Sequence, residues 1–230
     1  MSACPRGGRS GPKPKPYFCD FIEGRRGEIL DAALAVFGER GYEAGTMREI
    51  AGRIGVSEPA LYRHYESKEA ILSDIVATAG DRIAGAMVDT VHKIDGTNVT
   101  PMLHLLIETR RSGFRGSDGL SRDVEQGVPS ALKGGAGNVI HVLFHAAPHN
   151  EAFIKLLRAH LGQPIVMAMR DLIPRVDAHF GIERSPAELE SRLRIFMSLF
   201  AGYFTTSMLY DASPDDDAVV GAMLAIMGWE

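Results

Sequence analysis

Cysteine is nearly absent: of 230 residues only Cys4 and Cys19 carry a thiol, both at the N-terminal end. Thiols so placed cannot cross-link the rest of the chain, and no third offers metal-ligand spacing. A disulfide framework and a zinc module are thereby excluded. No apolar run approaches the roughly 20 residues that cross a bilayer, and the basic N-terminus lacks the continuous apolar segment of a secretory signal. Cytoplasmic residence is the expectation, without membrane attachment. Surplus positive charge is missing too. The formal net charge is -4, which argues against indiscriminate binding of nucleic acid by the whole surface. There is no phosphate-binding loop, Gly-rich dinucleotide turn, nucleophile elbow or HExxH, so neither an enzyme nor a cofactor is expected.

What the chain does contain is helical periodicity from end to end, and most of its meaning lies between Thr46 and Lys68. Thr46 and Glu49 have the spacing of a capping box, and Met47, Ile50, Ala51 and Ile54 form one buried face behind it. Gly55 tolerates the left-handed backbone of a sharp turn, and Ser57 is a favourable N-cap for a second helix, Glu58 to His64. Only Leu61 and Tyr65 are inward anchors of that helix, which leaves Glu58, Pro59, Ala60, Tyr62, Arg63 and His64 facing outward. A short helix with two anchors and a polar outer face is the shape of a recognition helix for the major groove. Charge sets a condition on that reading. Residues 24–74 hold seven Lys/Arg against nine Asp/Glu, so any positive charge that meets DNA must be segregated onto one face.

Arg26 to Arg40 is an amphipathic helix closed by Gly41, and with the two above it makes a three-helix head at residues 24–70. Its core is small, with Phe37 and Tyr42 set against Ile50 and Leu61, so it should lean on the rest of the chain. Residues 1–23 read as a basic, Pro-rich, disordered arm: Arg6, Arg9, Lys13 and Lys15 stand among prolines. Its basic residues suit phosphates, although a solvated tail is the commoner fate of such a terminus.

Residues 71–230 read as a larger helical body. Ser67 caps a helix that should run to about Ile94, long enough (about 40 Å) to act as a lever between head and body. Thr100-Pro101 opens another, to about Phe114. Six glycines between Gly116 and Gly137 mark a long loop. A short helix, 138–147, ends at Pro148. A long one from Asn150 carries Pro164 and Pro174, which should kink or divide it. Ser185-Pro186-Ala187-Glu188 starts a helix that reaches about Tyr210, and Ser213-Pro214 opens the last. These two are apolar nearly all round. Packing them against the same pair from a second chain is one way to bury them, with Leu193, Phe196, Phe200, Met223, Ile226 and Met227 at the interface. Burial within one chain is the other.

From Arg26 to Leu72 the pattern resembles the tetracycline-repressor (TetR) family of bacterial transcriptional regulators. The residues that carry the likeness are Ile29-Leu30, Ala33 and Phe37, Gly41-Tyr42, Thr46 with Arg48-Glu49-Ile50-Ala51, Gly55-Val56-Ser57, Leu61 to Tyr65, and Ser67-Lys68-Glu69 with Leu72. The resemblance implies an all-α fold, with an N-terminal helix-turn-helix DNA-binding domain and a helical domain for ligand binding and dimerisation. It implies a homodimer on a double-stranded, near-palindromic DNA operator, usually a repressor. Thr46, Tyr62, His64 and Lys68 would be phosphate contacts; Arg48, Glu58, Pro59 and Ala60 would meet base edges or the groove wall, beside Ser57. It further implies a small, mostly apolar effector held in the body. The candidate lining is Met102, His104, Leu106, Arg110, Phe114, His141, Phe144, His145, Met167, Phe200 and Phe204, any of which is otherwise plain core. His141 and His145 stand four apart, a metal-compatible spacing, but no carboxylate or Cys completes the set, so no metal is expected. A helical regulator answering a protein partner, or a helical enzyme, is the competing reading.

Overall fold

The computed structural model describes residues 17–104, 107, 139, 142, 151–209 and 215–229. Among them are helices and no strand. The helices are α1 (Arg25–Arg40), α2 (Met47–Arg53), α3 (Glu58–Tyr62), α4 (Lys68–His92), α5 (Glu151–Leu157), α6 (Gln163–His179), α7 (Pro186–Leu209) and α8 (Asp216–Met227), and residues 99–104 are helical as well.

Local chemistry sets the boundaries in the head. The α1 helix ends where Gly41 turns to φ 79°, which leaves its N–H on the Phe37 carbonyl. Thr46 and Glu49 form the reciprocal box: the Glu49 N–H donates to Thr46 Oγ1 at 3.3 Å, and the Thr46 N–H donates to Glu49 Oε2 at 3.1 Å. Gly55, at φ 69°, makes the turn between α2 and α3. Ile29, Leu30, Phe37, Ile50 and Leu61 are all buried in one cluster.

That cluster does not stop at the head. It runs along α4 through Ile71, Leu72, Ile75, Val76 and Ile83, and takes in Phe153 of α5. A second cluster starts at Val91, near the end of α4, and gathers residues of α6, α7 and α8 with Trp229. The change of core thus falls inside α4, well past residue 70. The small head leans on its neighbours by sharing their core.

Residues 17–22 depart from the expectation of a disordered arm to residue 23. Tyr17 and Phe18 are 3% and 0% exposed, and a 3-10 turn, Phe18–Asp20, docks on α1. The Asp31 carboxylate holds this strap by accepting from the backbone N–H groups of Tyr17, Phe18 and Cys19 at 2.8, 2.9 and 2.9 Å. Burying the Phe18 ring adds about 1.5–3 kcal/mol. The arm's basic residues 6–15 lie outside the described residues. Gly27 is what lets the strap sit close, since a Cβ there would stand 2.5 Å from the Ile22 carbonyl oxygen. We expect Gly27→Ala to lift the strap. Chymotryptic cleavage after Tyr17 and Phe18 should accelerate and stability should fall by about 1–3 kcal/mol; cleavage at the wild-type rate would refute the contact.

In the body, Pro164 has no N–H for the regular helical bond. The turn before it, Arg158–Gly162, widens to the π form, in which the Gln163 N–H reaches the Arg158 carbonyl. This turn rides on α4 at Gly80, where a Cβ would lie 3.0 Å from His160 Cβ, and His160 Nδ1 meets Asp81 Oδ1 at 2.8 Å. Arg175 of α6 caps the end of α4 by donating to the carbonyls of Val91 and His92, each at 3.3 Å. At the C-terminal end, buried Asp177 accepts two bonds from Arg184, at 2.7 and 2.9 Å, and one from Trp229 Nε1 at 2.8 Å.

The terminal helices show why an all-round apolar pattern misleads. Leu193, Phe196, Met223 and Met227 were expected between chains, but each is 3% exposed or less inside one chain, in a core with Leu172, Ile173 and Trp229. Phe200 and Ile226 remain half-buried. The surface that α7 and α8 leave open includes Ser191, Ile195 and Ser198 on one helix and Ala218, Ala222 and Ala225 on the other.

Candidate nucleic-acid interface

The α3 helix is fixed from beneath and bare on top. Leu61 is fully buried, Tyr65 is half-buried, and Tyr62 is 48% exposed, so its ring is not packed into the head. Arg63 and His64 are exposed beside it, as is Pro59, while Glu58 and Ala60 are half-buried. Ser57 occupies the N-cap in extended backbone, yet its hydroxyl makes no cap bond. Thr46 is exposed, with its hydroxyl in the capping box.

The underside of the head is tied to α4 by a polar network. Arg26 donates from Nε to Asp74 at 2.9 Å and from Nη2 to the Thr78 hydroxyl at 2.9 Å, and the Tyr65 hydroxyl also donates to Asp74. Burial alone would raise the Asp74 carboxyl. Hydrogen bonds from Arg26, Tyr65 and Thr78 outweigh it and hold the carboxyl below the ordinary carboxylate range. The network orients Tyr65, and so the α3–α4 corner.

Pairing narrows the charge that is left to meet DNA. Of the seven cations between residues 24 and 74, four are matched within the head or to α4: Arg25 with Glu28, Arg26 with Asp74, Arg40 with Glu49 and Arg53 with Glu39. Lys68 was expected to hold a phosphate, but its ammonium is engaged elsewhere. It donates to the carbonyls of Tyr42 and Glu43 at 3.0 Å and of Gly45 at 3.4 Å, and lies 4.6 Å from the Tyr42 ring centroid. Three acceptors match its three N–H donors. Among the described residues this leaves Arg48 and Arg63 as the head's cations with neither an ion pair nor a side-chain hydrogen bond, both exposed. Arg48 was anticipated. Arg63 was not assigned a contact, although its outward position was plain from the helix period.

Residues 29–75 match the family model described as "Bacterial regulatory proteins, tetR family". That segment, from α1 into α4, is similar to the N-terminal region of this family. A curated relative, the HTH-type transcriptional repressor KstR2 of Rhodococcus jostii, is 36% identical over 86 residues, 37% of this chain and 41% of that protein. The HTH-type transcriptional activator FasR of Mycolicibacterium smegmatis is 59% identical over 44 residues, 19% of this chain and 20% of that one. The chain thus covers less than half the length of these curated relatives. Likeness to solved structures extends much further. AibR in complex with isovaleryl coenzyme A and operator DNA superposes with a TM-score of 0.57 at 19% identity, over 88% of this chain and 97% of that one. At that identity the likeness shows a shared helical fold across head and body.

The effector residues expected from the sequence fare unevenly. Met102, half-buried, packs against the second core, as does Phe200, and His104 lies 3.6 Å from Asp217. Met167 is 65% exposed, because it points away from both cores, and it encloses nothing. Leu106, Arg110, Phe114, His141, Phe144, His145 and the Phe204 side chain lie outside the described residues. A groove lined by Pro174, Ala178, Ile182 and Leu189 contains none of the expected residues. Among the described residues no three His, Cys, Asp or Glu side chains gather as metal ligands. No described helix is long and apolar enough to cross a membrane.

Proposed function

We propose that this chain is a tetR-family transcriptional repressor that binds a near-palindromic operator as a homodimer in the cytoplasm and leaves it when a small, mostly apolar effector enters the body. The observation that carries the reading is the pairing of charge on the head. Four arginines are matched by carboxylates, while Arg48 on α2 and Arg63, next to the exposed Tyr62 on α3, are exposed and have no ion pair among the described residues. Thr46, Ser57, Tyr62, His64 and Arg63 then serve as phosphate contacts, and Arg48, Glu58, Pro59 and Ala60 meet the base edges. Lys68 contributes indirectly, by holding the turn before α2.

Two copies would meet through the open faces of α7 and α8. Ser191, Ile195 and Ser198 share one face, and Ala218, Ala222 and Ala225 share the other. Small side chains there let four helices approach closely, with Phe200 and Ile226 at the margin. The repressor KstR2 and the complex of AibR with an acyl coenzyme A and DNA support repression and an acyl-type effector respectively. Of the described residues, Met102, His104 and Phe200 are the ones assigned to the effector site in this reading. Effector binding must favour a spacing of the two heads that mismatches the operator, and α4 is the lever between them.

Fluorescence anisotropy with the full chain and DNA from its own upstream region tests this. The expected result is two protomers per site and affinity that falls steeply with salt. Tyr62→Ala should bind at least about tenfold more weakly, the equivalent of 1.4 kcal/mol. Salt-independent or absent binding would overturn the reading.

A further inference from the structure

The tip of α3 carries an unmatched carboxylate. Among the head's carboxylates, Glu28, Glu39, Glu49 and Asp74 pair with arginines, and Asp31 holds three backbone N–H groups. Glu58, the first residue of α3, has neither an ion pair nor a hydrogen bond among the described residues. Of the next two residues, Pro59 and Ala60, neither side chain can hydrogen-bond a base. An ionised carboxylate on a surface that meets phosphates is repelled unless something there donates to it.

We propose that Glu58 makes the protein select cytosine at one position of each operator half-site. The inference rests on the DNA-binding reading above. A carboxylate only accepts, and in the major groove the donors are the amino groups of cytosine and adenine. Adenine sets the N7 acceptor beside its amino group, so a carboxylate that takes one hydrogen there opposes a lone pair with its other oxygen. Guanine offers two acceptors, and thymine an acceptor and a methyl group. Cytosine alone presents a donor without an adjacent acceptor on its own edge. The competing account is that Glu58 merely complements the positive end of a short helix. That role would leave base choice unaffected.

Selection from a duplex pool with randomised half-sites, using full-length wild type, Glu58→Gln and Glu58→Ala, separates the two. Wild type should enrich cytosine at one position per half-site. Glu58→Gln, which can both donate and accept, should shift that position to adenine. Glu58→Ala should flatten it and bind random DNA more tightly, having lost a negative charge. Changing that cytosine to thymine in the selected operator should weaken wild type roughly tenfold and Glu58→Ala less than about twofold. Identical base preferences for all three proteins would overturn the proposal and leave the DNA-binding reading intact. If no protein enriches any sequence, both fall. Thermal melting of the variants confirms that each was folded when tested.

Discussion

Asp177→Ala is expected to lower the unfolding midpoint by on the order of 10 °C. Arg184 and Asp177 have side chains only 10% and 5% exposed, and the ion pair between them is bidentate. Deleting the carboxylate leaves a guanidinium in the interior without its counter-charge, a change that costs about 3–5 kcal/mol. At this chain length each kcal/mol corresponds to about 2–4 °C. The Trp229 Nε1–H loses its acceptor at the same time, and Arg184 also donates to the Met227 carbonyl. One carboxylate therefore fastens the end of α6, the segment after it and the end of α8. Removing both charges, as Asp177→Leu with Arg184→Met, should recover part of the loss, because the desolvation of two ions goes with them. Recovery will be incomplete while Trp229 and the Met227 carbonyl keep unmatched groups. Scanning calorimetry on the two variants measures both effects. A shift below about 3 °C for Asp177→Ala would mean that water reaches the pair and screens it.

The same residues show which parts of the molecule were legible in the sequence. The capping box at Thr46 and Glu49, the turns at Gly41 and Gly55 and the start of α4 at Ser67 depend on chemistry within four residues, and each stands where its spacing predicted. Lys68 looked like a phosphate ligand for an equally local reason, its place in the first turn of a helix. Its acceptors, though, are carbonyls 23 to 26 residues earlier in the chain, and no periodicity reports them. The strap at residues 17–22 was hidden in the same way. Its aromatic residues were visible, but the Asp31 carboxylate and the gap above Gly27 become relevant only when α1 is folded beneath it. For α7 and α8 the pattern asked for burial on every side, and within this chain one face of each stays open. Hydrophobicity does not say which chain supplies the cover, and α6 with Trp229 supplies much of it. Pairing of charges was the largest gap. Seven cations against nine acids looked unpromising until the contacts showed which of them cancel.

That pairing has a quantitative consequence for DNA binding. Replacing Arg63 with Ala should reduce the slope of log K against log[salt] by about 1.8, because a dimer loses two phosphate contacts at about 0.9 each. Between 50 and 200 mM salt the wild type should then lose roughly tenfold more affinity than the variant. Lys68→Met should behave in the opposite sense. Its ammonium closes the turn at Tyr42, Glu43 and Gly45, so its loss should destabilise the head while leaving the salt slope close to wild type. Arg48→Ala, facing base edges in the proposed complex, should weaken the cognate operator more than random DNA, by about 1–3 kcal/mol for each half-site. The three variants thus fall into three classes by salt slope, melting temperature and sequence dependence, although all remove one positive charge. If Lys68→Met lowers the slope as much as Arg63→Ala does, the ammonium must leave its three carbonyls for a phosphate in the complex. The turn between α1 and α2 would then rearrange on binding. If instead Arg63→Ala keeps the full slope, the unpaired cation on α3 points away from the backbone, and Arg48 is left as the head's unpaired cation able to meet it.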